Sequence, residues 1–226
     1  MRDETTGGRT TSSPNAAPFA RTLDAAAAVA AWSRIADPAV RGAVAGSLGD
    51  LMAGNRRFVA GTPAHRDLHG ERAALVSGQS PVAAIVACSD SRIAIEDTFD
   101  APLGTLFATK TAGSAIDSAV LGSLEFAVAS LGVRLIVVLG HEKCGAVRAA
   151  MDGDAHSGAL GALVAQLRAH ISGAHGHEAA VRACAVATGR ALLTESPALG
   201  AAFDRGALAV VPAFYWLGNG RVDLIG

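Results

Sequence analysis

Two short stretches, 82–87 and 135–139, contain no polar residue at all. A strand with one wet face alternates apolar and polar positions, whereas a run saturated with apolar side chains suits a strand covered on both faces. A third strand is expected at 105–109. Two more, at 207–214 and 221–225, are joined through the turn signal Gly218-Asn219-Gly220. Between these runs the apolar period lengthens to that of helices, at 115–131, 145–151, 159–171 and 178–194. Upstream, Leu48, Leu51, Met52, Phe58 and Val59 share one helical face from position 47 until Gly61-Thr62-Pro63 ends it. The segment 62–81 is a polar connection with a short helix near 71–76, and 25–32 reads as an amphipathic helix resting on the body or on a partner subunit. Strands alternating with helices predict an α/β fold with a mostly parallel sheet flanked by helices. In such sheets active groups gather where strand carboxyl ends meet helix starts.

A chain of 226 residues holds one domain with a substantial core. The expected division is a disordered leader over 1–20, an N-terminal helical arm over 21–46, and a single catalytic body over 47–226. Half of the residues are hydrophobic yet only ten are aromatic, so the core is built from Ala, Val, Leu and Ile. A net charge of −1 gives no support to a nucleic-acid partner. No run approaches the eighteen or so apolar residues of a membrane span, and the apolar stretch at 25–32 lacks the flanks of an export signal. Three cysteines, an odd number, fit a reduced compartment. The location expected is cytoplasmic.

Those cysteines carry the candidate chemistry. Cys88-Ser89-Asp90-Ser91-Arg92 follows the first saturated run, and His141-Glu142-Lys143-Cys144-Gly145 follows the second. Two buried strands that end this way can bring two thiolates and one imidazole together. Three protein ligands suit a catalytic zinc ion, which keeps one position open, better than a structural one. Spacing alone leaves two readings open, a metal site and a set of inert core thiols, because the chain lacks a local C-x-x-C pair. Asp90 and Arg92 are likewise an ordinary surface ion pair unless a ligand stands beside them.

The two segments resemble the zinc signatures C-x-D-x-R and H-x-x-C-G of the β-class carbonic anhydrases. The resemblance extends to Leu51-Met52-Ala53-Gly54-Asn55-Arg56-Arg57-Phe58, similar to that family's L-x-x-G-N-x-R-F. It includes Ser123-Leu124-Glu125-Phe126, similar to its S-L-E-Y, and the final strand pair with its Y-x-L-x-x-G turn from Tyr215 to Gly220. The resemblance implies a four- to five-stranded central sheet in a homodimer or dimer of dimers. One Zn²⁺ per subunit would be held by Cys88, His141 and Cys144, and a zinc-bound hydroxide would hydrate carbon dioxide reversibly to bicarbonate and a proton. Arg92 would hold Asp90 so that one carboxylate oxygen aims the hydroxide. Gln79 and Phe107 match substrate-binding residues of the plant-like subgroup, Gln79 acting from the neighbouring subunit. Gly113 and Gly145 would form tight turns at the substrate site. Ile85 stands where the bicarbonate-regulated group has tryptophan, which implies no inhibitory bicarbonate pocket.

The chain also departs from the family pattern. Lys110-Thr111-Ala112-Gly113-Ser114 replaces R-N-A-G-N, and lysine lacks arginine's planar fork. Phe126 replaces a tyrosine. His170, His175 and His177 read as a solvated loop rather than a second metal site, Cys184 as core, Tyr215 and Trp216 as packing, and His65 and His69 as exposed buffering groups. Rival functions are carbon disulfide or carbonyl sulfide hydrolysis at the same zinc site, and a noncatalytic zinc-binding regulatory protein. The latter would be expected to lack Asp90 or Arg92.

Overall fold

The computed structural model describes residues 22–153 and 155–226; the leader expected at 1–20 lies outside them. In chain order the elements are β1 (Thr22–Leu23), α1 (Ala25–Ala31), α2 (Pro38–Val59), α3 (Leu68–Ala74), β2 (Ala83–Cys88), α4 (Ile95–Thr98) and β3 (Leu106–Thr111). A 3-10 turn (Ala112–Ser114), α5 (Ser118–Ser130), β4 (Leu135–His141), α6 (Gly145–Asp152) and α7 (Gly158–His170) follow. The chain ends in α8 (His177–Glu195), α9 (Pro197–Asp204), β5 (Ala209–Tyr215) and β6 (Val222–Ile225).

The sheet order is β1-β6-β5-β4-β2-β3. From β3 to β5 neighbouring strands run parallel, and β6 and β1 are added antiparallel. The expected mostly parallel sheet is therefore present, and the second strand of the expected final pair joins it antiparallel. The two-residue β1, which pairs Leu23 with Leu224, was not expected. All residues of β2 and β5 are buried, and β4 is buried but for Gly140. That is why these strands read as saturated apolar runs rather than alternating ones. The core contains few aromatic rings, with Phe99 and Phe214 the bulkiest side chains fully enclosed.

The helix expected from position 47 begins nine residues earlier, at Pro38. Asp37 caps it by accepting the Ala39 N–H, and proline suits a first helical turn whose N–H groups have no intrahelical partner. The helix runs unbroken through 46/47, where the sequence reading divides arm from body. Asn55 then fastens it to the sheet. Its amide donates to the carbonyls of Thr98 and Gly220 at 3.0 and 2.8 Å, and its carbonyl accepts the Val222 N–H at 2.9 Å. Helices α4 and α9, each one or two turns long, were also unexpected. A single turn such as α4 is too short to display a period. Among the described residues, no helix is long and apolar enough to cross a membrane.

Chain order places β3 on one side of β2 and β4 on the other. The crossover direction reverses between β2 and β4, so a crevice opens beyond their carboxyl ends. Cys88 is the last residue of β2 and His141 the last of β4.

Candidate metal centre

The parallel register pairs Ala87 with Leu139, which brings the ends of β2 and β4 level. After His141, the chain turns through Lys143, at φ 56°, and enters α6 with Cys144 as N-cap. Cys88, His141 and Cys144 consequently meet although more than fifty residues separate the first from the others. Their ligand atoms all lie within 4.8 Å of one another, and the residues are 6%, 1% and 2% exposed. The two sulfurs are 4.0 Å apart. An ion with bonds of about 2.3 Å to sulfur in tetrahedral geometry needs them about 3.8 Å apart.

The imidazole is oriented for the same purpose. His141 Nδ1 lies 2.9 Å from the Glu142 carbonyl, which can only accept, so Nδ1 carries the hydrogen. Nε2 is then a bare lone pair, fully buried and without any hydrogen-bond partner. A buried polar atom is rarely left so, and a metal ion is the partner that suits it beside two sulfurs. A hollow of ≈ 10 Å³, about the room of one water molecule, lies among Cys88, His141, Cys144, Gly113, Val147 and Cys184.

Backbone amides surround the sulfurs. Gly113 N–H donates to Cys88 Sγ at 3.2 Å. Gly113 has φ 67°, and a Cβ there would meet Leu167 Cδ1 at 2.5 Å, so both torsion and space favour glycine. The Cys144 S–H, also directed at Cys88 Sγ, together with the Gly113 amide, holds the Cys88 thiol well below its ordinary value against the opposing effect of burial. Cys144 is pushed the other way by its hydrogen bond to that thiolate and by burial. Cys184 is buried in the core and pushed up to about 12 by burial.

Asp90 and Arg92 stand at the rim. The Arg92 side chain donates to both Asp90 oxygens, Nε to Oδ1 at 2.8 Å and Nη2 to Oδ2 at 2.6 Å, and the Arg92 amide adds a third bond to Oδ1 at 3.0 Å. This fork holds the carboxyl well below the usual carboxylate range. Asp90 Oδ2 lies 4.0 Å from His141 Nε2. Beneath, Lys110 Nζ donates to the carbonyls of Ile93 at 2.7 Å and Asp90 at 3.5 Å, bracing the loop that carries the dyad.

The remaining expectations separate. Gly145 does not make a tight turn: its φ is ordinary, a Cβ there would meet nothing within 4 Å, and the strained residue of that loop is Lys143. Gln79 lies before the start of β2, in an open hollow with Leu75, Val76 and Gly104, a full strand length from Cys88. Phe107 pairs with Ala84 near the same end and packs on the half-exposed Phe126 at 6.5 Å. Within one chain neither residue reaches the metal centre. Among the described residues, no second group of three His, Cys, Asp or Glu ligand atoms converges.

His65 and His69 are exposed, and Trp216 packs on Phe214 while donating to Asp223. His177, read as a loop residue, instead opens α8, and its Nε2 contacts the Cys144 carbonyl at 2.9 Å. The signal that could have found it is its place immediately after Gly176, where a helix begins.

The family model described as carbonic anhydrase matches residues 83–222. Carbonic anhydrase 2 of Mycobacterium tuberculosis is 41% identical over 193 residues, covering 77% of this chain and 89% of that protein. The carbonic anhydrase of Mycolicibacterium smegmatis is likewise 41% identical, over 187 residues, with coverage of 77% and 89%. The solved β-carbonic anhydrase of Coccomyxa, in complex with acetazolamide, superposes with a TM-score of 0.61 at 25% identity, covering 78% of this chain and 85% of that one. With two thiol ligands and one imidazole at the carboxyl ends of adjacent parallel strands, and these relatives along most of its length, the chain belongs to the β class of the carbonic anhydrase family.

Proposed function

We propose that this protein catalyses the reversible hydration of carbon dioxide to bicarbonate and a proton, with Zn²⁺ held by Cys88, His141 and Cys144. The observation that carries the reading is the buried, unpartnered His141 Nε2 facing two sulfurs beside the Asp90–Arg92 fork. When bound, the ion supplies Lewis acidity that makes water nucleophilic near neutral pH. Two thiolates weaken that acidity by their charge. The Gly113 amide on Cys88 Sγ withdraws part of it again.

Asp90 is the hydrogen-bond acceptor at the open side. Arg92 occupies a lone pair on each carboxylate oxygen and fixes the carboxylate plane, so Oδ2 keeps a direction from which to orient the attacking group. Gln79 and Phe107, with exposed Phe126 beside it, complete the substrate pocket of a second copy in a homodimer or dimer of dimers. Ile85 supports the plant-like subgroup. The three free cysteines support a cytoplasmic location.

Stopped-flow hydration of carbon dioxide with zinc content measured in the same preparation tests the assignment, using the parent and Asp90→Asn. The expected result is full zinc in both, with turnover in the variant reduced by about 10²-fold or more, the size typical of losing an oriented charge-assisting group. Reduced, folded parent protein that takes up no zinc, or an Asp90→Asn variant with undiminished turnover, refutes it.

A further inference from the structure

Behind the metal centre lies one face of α8. Residues 177, 181, 184 and 185 are spaced so that they share that face, and each touches a segment that carries a ligand or bonds to one. His177 Nε2 is 2.9 Å from the Cys144 carbonyl. Val181 and Ala185 press on Gly140, just before His141, so closely that a Cβ there would meet Val181 Cγ1 at 2.9 Å. Cys184 Sγ lies 3.9 Å from the Gly113 carbonyl, and the Gly113 amide donates to Cys88 Sγ. The β4–α6 loop, which carries two of the ligands, and the Gly113 turn, whose amide holds the third, thus rest on a single helix.

Only the contact at Cys144 is a directed polar bond from a nitrogen donor. The Cys144 carbonyl also accepts the first backbone bond of α6, from the Arg148 N–H at 3.0 Å, and the Cys144 side chain makes no cap bond of its own. As the N-cap residue, Cys144 stands at the junction of loop and helix, so the first turn of α6 decides where its sulfur points. A carbonyl oxygen cannot donate; His177 Nε2 therefore carries the hydrogen and ties that turn to α8.

We infer that His177 is a positioning residue for the metal: by holding the Cys144 carbonyl it fixes the first turn of α6, and with it the third ligand sulfur. The inference rests on the proposed metal site. Partners of this kind, acting through a ligand, typically change metal affinity by about 10- to 100-fold when removed.

Full-length protein loaded with zinc is titrated with a competing chelator, and the Co²⁺-substituted protein is followed by its sulfur-to-cobalt absorption. The forms compared are the parent, His177→Ala, His177→Gln, His175→Ala and Cys88→Ser. His177→Ala should lose about 10- to 100-fold in zinc affinity and shift the cobalt bands while far-ultraviolet circular dichroism stays native. His177→Gln, whose amide can donate to the same carbonyl, should recover most of the affinity. His175→Ala, at an exposed position two residues away, should match the parent. Should His177→Ala hold zinc as tightly as the parent with an unchanged cobalt spectrum, while Cys88→Ser loses the metal, the role of His177 is overturned and the metal site stands. A spectrum unchanged in a variant that is merely less stable also overturns it. Parent protein that binds neither metal overturns both readings.

Discussion

Replacing Asn55 by alanine should cost more stability than most single changes outside the hydrophobic core. Asn55 is 2% exposed and its side chain serves three backbone groups on two other elements. Alanine leaves the Val222 N–H without an acceptor in a dry site, at about 1–3 kcal/mol. The carbonyls of Thr98 and Gly220 each lose a donor; a carbonyl has two lone pairs and suffers less, so about 1 kcal/mol each is a fair share. The sum, about 3–5 kcal/mol, is a large fraction of the ~5–15 kcal/mol that holds a domain folded. Urea unfolding of zinc-loaded protein, at one fixed concentration because assembly and metal both add apparent stability, measures it. Asn55→Asp should fail to rescue: it keeps the acceptor for Val222 but loses both donations and buries a charge. Zinc content of the folded fraction should be unchanged, since the ligands stand on other elements. A loss below ~1 kcal/mol would show that water or a shifted backbone serves those groups, and the account of Asn55 as the fastening of α2 would fail.

Asp100 gives a pH-dependent counterpart. The Ala64 N–H, with Arg57 beside it, holds the Asp100 carboxyl below the ordinary carboxylate range despite burial. Its folded-state pKa lies under the unfolded value, so its contribution is complete above about pH 4 and is lost as pH falls through the depressed value. Asp100→Asn should lower the urea midpoint at pH 7 and flatten its fall in acid, and the φ of 43° at this position suits asparagine. Equal acid slopes in both proteins would refute this. Chelation should unmask the most nucleophilic ligand thiol: metal-stripped protein should be alkylated at Cys88, zinc-loaded protein should not, and Cys144 and Cys184, 2% and 3% exposed, should be slow at both stages. Identical labelling with and without zinc, read by peptide mass spectrometry, would contradict the ligand assignment.

The strands were legible in one dimension because burial on both faces leaves no choice but apolar residues. β2, β4 and β5 appear as saturated runs wherever one looks along the chain. The candidate ligands were legible because Cys88 and the His141–Cys144 pair each follow such a run directly; spacing alone left inert core thiols as the other reading, and the family resemblance chose between them. Helix boundaries were less so. α2 begins nine residues before its strongest apolar period, since Asp37-Pro38 starts it with local hydrogen bonding and ring geometry rather than hydrophobicity. The two-residue β1 has no pattern to read, being held by backbone pairing to Leu224 and Ile225.

By itself, then, the order of residues determined the α/β layering and the apolar core, and it marked three candidate ligands with their Asp-Arg neighbour, because periodicity and residue chemistry are local properties. The tertiary structure decided which backbone groups those side chains serve. It turned Asn55 from a motif letter into a clamp on the last hairpin, and His177 from a loop residue into a prop for Cys144. It also set Gln79 and Phe107 at the strand ends opposite the metal centre. Such roles depend on elements far apart in sequence meeting within hydrogen-bond distance, and no spacing along one chain encodes that until the sheet order has brought them together.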